Sequence, residues 1–402
     1  MPYYYVYYLS YPSFYTSHST FLTNGGSIIP MKFSCEKALL QSAISVASRA
    51  VSPKSSISAL EGIHINATDE LRLTGYNLST GIRTIVPADV TEPGTLVLDA
   101  RLFGDIIRRL PDDIVYVSTD KLMVNIQCGS SEFNIMGMDP EDFPELPLVE
   151  YEHTVELPRN LLRSMITQTL FAVSTNESRP IHTGGLFEVN EDKLLTVVCV
   201  DGYRLALRKE TVNEITGKPN FSFVCPAAAL SEVEKICGDS EDNATIVVGS
   251  RHVMFKAGNT MLVARKLEGQ FLDYRNAIPS TYKITMVADK RQLQNCIERV
   301  SLIITEKQKS PIRCHFGKDE MTVQVKTALG DAHDTCPMSG DGQDLEIGFN
   351  NKFMLDALKA APIDVVNLCL NGPVTPCIIT PNVTEKDNFL YMVLPVRLRA
   401  EG

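Results

Sequence analysis

The most compact polar motif in this 402-residue sequence is Asp201-Gly-Tyr-Arg-Leu205, which directly follows the apolar stretch Leu194–Val200. An Asp-Gly pair between two apolar stretches predicts a tight β-hairpin turn. Such a turn explains the first two residues of the motif completely. It does not explain why an aromatic ring and a cation, Tyr203 and Arg204, follow so apolar a strand, and the motif is therefore the first candidate for a function.

Elsewhere the sequence lacks the patterns of an enzyme active site. There is no GxSxG nucleophile turn, no GxxxxGK[ST] phosphate loop, no HExxH zinc motif and no EF-hand loop. Thr216-Gly-Lys218 lacks the upstream glycine of a phosphate loop. The histidines are isolated, and three in strand contexts are interpreted as ordinary strand residues: His64, His252 and His315. We therefore expect no catalytic residue and no cofactor.

The cysteines and the net charge restrict the remaining classes of protein. The ten cysteines are scattered without a CxxC pair. This argues against a zinc site and predicts reduced core thiols in a cytoplasmic protein. No apolar run reaches the roughly 20 residues that a transmembrane helix needs. The net charge of −10 argues against a protein that binds nucleic acid over its whole surface.

The elements that must position the motif come in a repeated unit. Leu96–Met138 predicts a strand, a helix and three short strands, because Asp99 can cap a helix and apolar residues then recur at helical spacing. The same unit returns from Phe221 and from Leu345. The spacing of ~125 residues is well beyond the roughly 20–50 residues of solenoid repeats, so the units are parts of repeated domains.

A related half-unit precedes each of these three. The first begins near Phe33, where Ser34 can cap a helix whose apolar stripe includes Leu39, and the others begin at Arg159 and Lys290. Two helix-plus-strands halves per domain predict an α+β fold of three repeated domains, each with two helices packed on antiparallel sheets. We place the domains at residues 31–150, 151–280 and 281–402.

The outer strands of such domains have no neighbour, and unpaired edges invite pairing with the next domain. Similar domains joined through the same rotation form an arc, which either closes into a ring or propagates. Residues 1–30 lie outside this pattern, with seven of the fourteen tyrosines and no Lys, Arg, Asp or Glu. We expect a disordered or non-native N-terminal extension; the alternative is an aromatic arm that binds a partner.

Basic residues recur on the predicted helices, opposite the apolar stripes. They are Lys37, Arg49, Arg101, Arg108, Arg109, Arg159, Arg163, Lys235, Lys290, Arg291, Arg299, Lys352 and Lys359. Acidic residues interrupt the series, so one interpretation is a solvated helix face. In the other interpretation, all helices lie on one side of the arc. They then form a weakly basic track that holds a phosphate backbone without reading bases.

Four segments carry a resemblance to a known family: Met31-Lys-Phe33, Asp201-Gly-Tyr-Arg-Leu205, Leu345-Glu-Ile-Gly-Phe-Asn350 and Tyr391-Met-Val-Leu-Pro-Val-Arg-Leu398. Over residues 31–398 the chain resembles the bacterial DNA polymerase III beta subunit, the sliding clamp. The resemblance implies a head-to-tail homodimeric ring of six domains, with helices lining a hole that holds double-stranded DNA. It implies a processivity factor without catalytic activity. Its expected partners are the polymerase III alpha subunit, the clamp loader and other proteins with a clamp-binding motif.

The resemblance also implies a hydrophobic pocket for partner peptides between the second and third domains. Matched by motif, it consists of Arg179, His182, Val200, Gly202, Tyr203, Arg204, Leu205, Leu272, Ala277, Thr375, Val393, Leu394, Pro395 and Val396. Aliphatic walls suit apolar anchors, and Arg179 and Arg204 suit an acidic or carbonyl group of the peptide. His182, Val200 and Leu272 depart from the residues usual in the family, which bears on the peptide preference. The tail Arg399–Gly402 extends past the usual terminus, close to the pocket.

Two further sets of residues follow from the resemblance. Expected DNA contacts are Lys54, Asn176, Pro180, Ile181, Arg101, Arg108 and Arg163. The expected dimer interface pairs an edge of the first domain with the third domain through Phe133, Ile135, Leu302 and Ile303. The main alternative is a peptide-binding scaffold of the same fold that does not encircle DNA. A hydrolase is more distant, because the sequence offers no nucleophile–base pair.

Overall fold

The computed structural model of this protein describes residues 30–305, 310–382 and 388–398. These residues form three domains with the same order of elements: a strand, a helix, five strands, a second helix and three strands. The predicted three-domain α+β fold is therefore confirmed. The predicted N-terminal extension, apart from residue 30, and the tail Arg399–Gly402 lie outside the described residues.

The elements of each domain follow in chain order. Domain 1 contains β1 (Lys32–Glu36), α1 (Lys37–Ala47), β2 (Gly62–Ala67), β3 (Leu71–Tyr76), β4 (Thr80–Val86), β5 (Asp89–Glu92), β6 (Gly94–Asp99), α2 (Ala100–Arg109), β7 (Ile114–Asp120), β8 (Met123–Cys128) and β9 (Ser131–Met136). Domain 2 contains β10 (His153–Pro158), α3 (Arg159–Leu170), β11 (Gly184–Val189), β12 (Leu194–Val200), β13 (Arg204–Thr211), β14 (Glu214–Thr216), β15 (Phe221–Pro226), α4 (Ala227–Cys237), β16 (Asn243–Val248), β17 (His252–Ala257) and β18 (Thr260–Arg265). Domain 3 contains β19 (Ile284–Asp289), α5 (Lys290–Ser301), β20 (Ile312–Phe316), β21 (Glu320–Thr327), β22 (Gly330–Pro337), β23 (Ser339–Gly340), β24 (Leu345–Phe349), α6 (Asn351–Ala360), β25 (Val365–Leu370), β26 (Cys377–Pro381) and β27 (Phe389–Val393).

Both predicted helices of domain 1 are present, but the predicted cap is found only at the second. The Asp99 carboxylate accepts a hydrogen bond from the Leu102 backbone N–H at 2.7 Å, as the cap prediction requires. Ser34 does not cap α1, because it lies inside β1, a strand that pattern analysis missed. Leu39 was expected in the apolar stripe but is exposed, because only one side of α1 packs on the sheet. The short edge strands β5, β14 and β23 were also missed.

Two nine-stranded sheets join the domains. At junction 1–2, β18 pairs antiparallel with β4, and at junction 2–3, β27 pairs antiparallel with β13. Two smaller sheets remain within single domains. Among their edge strands are β9 in domain 1 and β22 in domain 3, each paired on one side only among the described residues. By position in their domains, β22 is equivalent to β4 and β13, and β9 is equivalent to β18 and β27.

The helices and the interdomain linkers pack on opposite faces of these two sheets. Successive side chains of a strand point to opposite faces. On β18, Leu262 and Ala264 pack with the cores under the helices, whereas Met261 and Val263 pack under the linker of residues 139–150. We call these faces the helix side and the linker side. The helices contact one another mainly in pairs, α1 with α2, α3 with α4 and α5 with α6, and α3 also contacts α6 across junction 2–3.

The cysteines occupy the cores that the sequence predicted for them. All ten are buried and unpaired. Burial raises the pKa of their thiols, to about 11 for Cys35, because a thiolate is poorly solvated in an apolar core. Among the described residues there is no metal-binding group of His, Cys, Asp or Glu side chains and no helix able to cross a membrane.

Candidate peptide pocket, helix face and free edges

The Asp201 motif forms a hairpin turn that is joined directly to the C-terminal strand. The Asp201 carboxylate accepts hydrogen bonds from the backbone N–H groups of Tyr203 and Arg204, at 2.8 and 3.0 Å. Gly202 has a φ of 91°, a left-handed conformation that suits glycine. The Leu394 backbone N–H donates to the Tyr203 carbonyl at 2.9 Å. Pairing of β13 with β27 thus brings the Asp201 motif next to the C-terminal part of the predicted pocket.

The linker side of junction 2–3 carries an apolar cluster that is only partly covered. Val200, Leu205 and Met392 are buried and form its floor. Several other members are half-buried at its surface: Ile181, Leu267, Phe271, Ile278, Tyr282, Leu390 and Leu394. The His182 ring meets the edge of Phe271 at a centroid distance of 5.3 Å. Apolar side chains that stay half-exposed around a buried floor are suited to receive the apolar anchors of a peptide.

The alternation of side chains corrects one predicted member of the pocket. Val393 is buried with the helix-side core of domain 3, so it does not reach the linker side. Its neighbours Met392 and Leu394 belong to the linker-side cluster instead. The signal for this was available in the sequence, because residues two apart on a strand share a face. Met392 therefore takes the place that motif matching gave to Val393.

Arg204, predicted to meet the peptide, is already paired with carboxylates of its own chain. Its guanidinium donates to Asp201 at 2.9 Å and to Asp356 at 2.6 Å, and it lies 4.5 Å from the ring centre of Phe353. Only 10% of the side chain is exposed. The Arg204 side chain therefore links domain 2 to α6 of domain 3. Arg179 is exposed and makes no ion pair within the described residues, so it remains the cation available to a peptide.

A second apolar surface lies on the other side of the turn. The Tyr203 ring stacks on Phe353 at 6.2 Å while 65% of Tyr203 stays exposed. Val396 follows, held by its backbone N–H to the Gly348 carbonyl at 2.8 Å, and it is also exposed. Sequence reasoning missed Phe353, because it lies on α6 of another domain with no local motif.

The remaining predicted pocket residues lie at its surface. Gly202, Leu272 and Ala277 are exposed, and Thr375 and Pro395 are half-buried. Burial and the nearby Arg179 charge lower the pKa of His182 below its usual 6.5, so the ring is neutral near pH 7. A neutral imidazole can sit at the border of an apolar pocket without the cost of burying a charge.

The residues predicted to contact DNA do not share one environment. Lys54, Arg101 and Arg108 are exposed in domain 1, and Asn176 and Pro180 are exposed in domain 2. Arg163 on α3 is paired with Asp239. Ile181 packs against the linker-side cluster, which places it with the pocket residues. DNA contact by these residues remains a prediction.

The residues predicted for the dimer interface lie at the two free edges. Phe133 and Ile135 are on β9, opposite Ile126 and Val124 of β8, and Phe133 is 38% exposed although it shares a face with core residues. Leu302 is 83% exposed just after α5, and Ile303 is part-buried. Large apolar side chains left exposed beside unpaired strands mark surfaces that another protein covers.

Three family models match consecutive parts of the chain. The N-terminal, central and C-terminal domains of the DNA polymerase III beta subunit match residues 31–147, 156–273 and 275–397. The chain belongs to the DNA polymerase III beta subunit family. This confirms the resemblance seen in the sequence motifs.

Named relatives and solved structures agree with the family. The beta sliding clamp of Halalkalibacterium halodurans is 32% identical over 382 residues, which are 91% of this chain and 100% of that protein. The Staphylococcus aureus beta sliding clamp is 33% identical over 91% of this chain and 99% of its own. The Bacillus subtilis DNA polymerase sliding clamp structure has a TM-score of 0.87 and 30% identity, covering 92% of this chain and 100% of that one. DNA replication is therefore the process in which this family member belongs.

Proposed function

We propose that two copies of this chain close into a ring around double-stranded DNA and that the ring tethers DNA polymerase III through the junction 2–3 pocket. The protein is then a processivity factor with no catalytic step of its own, and it works in the cytoplasm. Its other partners are the clamp loader, which opens the ring, and further proteins with clamp-binding peptides.

The observation that carries the ring is the equivalence of the free edges to the paired ones. β4 and β13 each pair with the last strand of the next domain, and β22 is the third strand of this type. β9 is the remaining last strand, because β18 and β27 are already paired. A second copy that joins β9 to β22 in the same way pairs the only members of these two strand types that are unpaired among the described residues, and it closes six domains.

Apolar residues of one domain that are buried in the core of the next domain support the same pairing of β9 with β22. Ala50 of domain 1 is buried in the core of domain 2, and Ala172 of domain 2 is buried in the core of domain 3. Counted from the start of the first helix in each domain, Ile303 holds the equivalent position. In the ring, Ile303 enters the core of domain 1 of a second copy, and Leu302 is covered with it. A permanent interface requires apolar burial of this kind.

The register of the two existing junctions predicts the register of the third. Leu262 lies opposite Ile82 at junction 1–2, and Tyr391 lies opposite Ala206 at junction 2–3. The positions equivalent to these pairs are Phe133 and Ala332. We therefore expect Phe133 of one copy to lie opposite Ala332 of the other, on the helix side of a continuous sheet.

Encirclement explains how a protein with net charge −10 can act on DNA. A closed ring is linked to DNA by topology and needs no tight contact with the phosphates. A polymerase bound to the ring then stays near the primer end at high effective concentration after each release. The pocket contributes specificity, because apolar anchors fill the linker-side cluster while Arg179 meets the peptide's acidic or carbonyl groups.

The test is retention on closed DNA. Labelled protein is loaded with a clamp loader on nicked circular DNA and passed through a sizing column before and after the circle is linearised. We expect co-elution with the circle and loss after linearisation. Ile303→Asp, which puts a charge into the join, should not be retained, whereas Leu39→Asp at an already exposed helix position should behave as wild type. Equal retention on circular and linear DNA would contradict encirclement. Peptide binding without any retention would favour the scaffold alternative.

A further inference from the structure

A groove on the linker side of domain 2 lies beside the predicted peptide pocket and has a volume of about 650 Å³. Known ligand sites have volumes of about 300–1,000 Å³. Leu207 and Ile278 line the groove and also belong to the apolar cluster of junction 2–3. The groove and the pocket therefore share a wall, although none of the residues predicted for the pocket lines the groove.

A row of aligned side chains crosses the floor of the groove. Glu188 of β11 lies opposite Ser222 of β15 and Thr196 of β12, and Thr196 lies opposite Lys209 of β13. Neighbouring strands are about 4.8 Å apart, so the row spans about 14 Å across four strands. Linker residues between 274 and 280 form one wall over this floor. The groove therefore has a polar floor beside the apolar floor of the pocket.

Three of the residues that line the groove are charged, and two of them neutralise each other. The Glu188 carboxylate accepts hydrogen bonds from the Tyr274 hydroxyl at 2.6 Å and from the Arg275 guanidinium at 2.7 Å. Lys209 is part-buried, and its ammonium group forms no ion pair or hydrogen bond within the described residues. The groove thus carries a single uncompensated positive charge, which favours an anionic group of a ligand.

The uncompensated cation occurs only in domain 2 among the three equivalent strands. Counted from the start of the interdomain pairing, the positions equivalent to Lys209 are Ile85 on β4 and Thr335 on β22. Glu210, the next residue of β13, is on the opposite face of the strand, where it pairs with Arg208. Its carboxylate therefore does not neutralise Lys209.

Hydroxyl groups near Lys209 are also without a partner. Thr196 is 7% exposed, and its hydroxyl forms no hydrogen bond with another described residue. The hydroxyls of Ser222 and Ser280, both exposed, likewise have no partner in the described part of the chain. Leu194 and Phe221 add apolar surface. An ammonium group and hydroxyls beside apolar side chains are suited to a peptide segment that carries a carboxylate.

We propose that this groove binds an acidic segment of the partner proteins, on the same chain as the peptide that fills the junction 2–3 pocket. Leu205 on the pocket floor and Lys209 are four residues apart on β13, a distance of about 13 Å. An extended peptide covers this distance in about four residues. Lys209 then pairs with an Asp or Glu side chain about four or five residues from an apolar anchor, and the Thr196 hydroxyl donates to the same segment. The proposal rests on the proposed peptide-binding function.

The experiment uses two synthetic peptides with the same clamp-binding apolar anchors. One carries Asp, and the other Asn, at the positions four and five residues from the anchors on both sides. Fluorescence anisotropy at low salt measures their affinity for the full chain. We expect the Asp peptide to bind about three- to fivefold more tightly, as is typical of a partly exposed ion pair, and we expect Lys209→Ala to abolish this difference. A difference that persists in Lys209→Ala would overturn the proposal.

The matched control is Lys256→Ala, which removes another part-buried cation from the linker side, at junction 1–2. It should keep the full preference for the Asp peptide. Loss of the preference in this variant as well would show that the effect depends on the overall charge, and it would overturn Lys209 as the site.

A second variant blocks the groove without changing its charge. Ser280→Trp places a large ring at an exposed linker position that lines the groove. We expect the preference for the Asp peptide to be lost, with unchanged affinity for the Asn peptide and an unchanged dimer mass. A full preference in this variant would overturn the groove. Equal binding of both peptides to the wild type would contradict the groove alone, whereas binding of neither would contradict the pocket and, with it, the groove.

Discussion

Junctions 1–2 and 2–3 have the same topology but very different linker sides. At junction 1–2, only two of the thirteen members of the apolar cluster, which includes linker residues, are part-buried. At junction 2–3, seven of the seventeen members of the cluster are only partly buried. The apolar cluster on the linker side of junction 1–2 is therefore a buried core, whereas the one at junction 2–3 is partly exposed at the surface. The difference supports the proposal that a partner peptide binds on the linker side of junction 2–3.

The physical cause lies in a few positions. At junction 1–2, Gly81 leaves room for the linker residue Leu146, which comes within 2.2 Å of the place where a Cβ atom would be. The equivalent strand position in domain 2 is Leu205, which occupies that space itself. The linker residue equivalent to Leu146 is Tyr274, whose hydroxyl donates to Glu188 at 2.6 Å. The linker of residues 139–150 thus covers the apolar cluster of junction 1–2, which we call the sealed junction. The second linker leaves part of the cluster at junction 2–3 uncovered.

The largest effect is expected on peptide affinity, when apolar side chains are removed from the partly exposed surface at junction 2–3. Leu394→Ala with Val396→Ala removes side chains from both sides of the Tyr203 turn and should weaken a clamp-binding peptide at least 100-fold, about 2.7 kcal/mol. Fluorescence anisotropy measures the affinity and light scattering confirms the dimer. Leu148→Ala, an exposed leucine beside the sealed junction, is the control and should bind normally. Unchanged affinity in the double variant would remove these residues from the pocket.

Acid should weaken the sealed junction through His64. Its ring stacks on Phe143 of the linker at 5.2 Å, and burial with the Arg83 charge lowers its pKa to about 4. The unfolded chain binds a proton near pH 6.5, so stability contributed by neutral His64 is present above that pH and is lost as pH falls toward 4. The expected loss is about 3 kcal/mol, since each pKa unit corresponds to about 1.4 kcal/mol. Denaturant unfolding of His64→Leu should show a flatter profile over this interval, and an identical profile would contradict the assignment.

A side chain at Gly81 should damage the sealed junction alone. Gly81→Leu places atoms where Leu146 packs and should lower the free energy of unfolding by about 1–3 kcal/mol. The paired variant Gly81→Leu with Leu146→Ala should recover part of this loss, because it recreates the arrangement of junction 2–3. Thermal unfolding monitors both. No loss in the single variant would mean that Leu146 does not seal the junction as described.

The smallest effect is expected from the histidine beside the pocket. The lowered pKa of His182 means that its contribution to stability and to an apolar pocket is present above its usual pKa of 6.5 and declines as pH falls below it. His182→Leu should therefore bind a clamp-binding peptide with less pH dependence between about pH 7 and 5 than the wild type. Parallel pH dependence in both proteins would show that another group titrates.

Sequence patterns predicted the repeated halves and the second-half helices because those signals are local. Asp99 precedes a strongly periodic stretch, and its cap is present in the structure. The strands that precede the first helices were not predicted, because they are short. In domain 1, Ser34 could also be interpreted as a helix cap. The burial of Val393 could have been predicted from strand alternation, whereas the partners of Arg204 include Asp356 of another domain, which no local pattern indicates. Phe353 comes from a different domain and could be found only when the chain was folded.

The account depends most on the claim that β9 and β22 are joined by a second copy. Light scattering of the full chain over a dilution series measures this directly. The account predicts a mass of two chains that persists to nanomolar concentration, with Ile303→Asp shifting the protein to a single chain of 44.5 kDa. A wild-type protein that is already a single chain at micromolar concentration would contradict the closed ring.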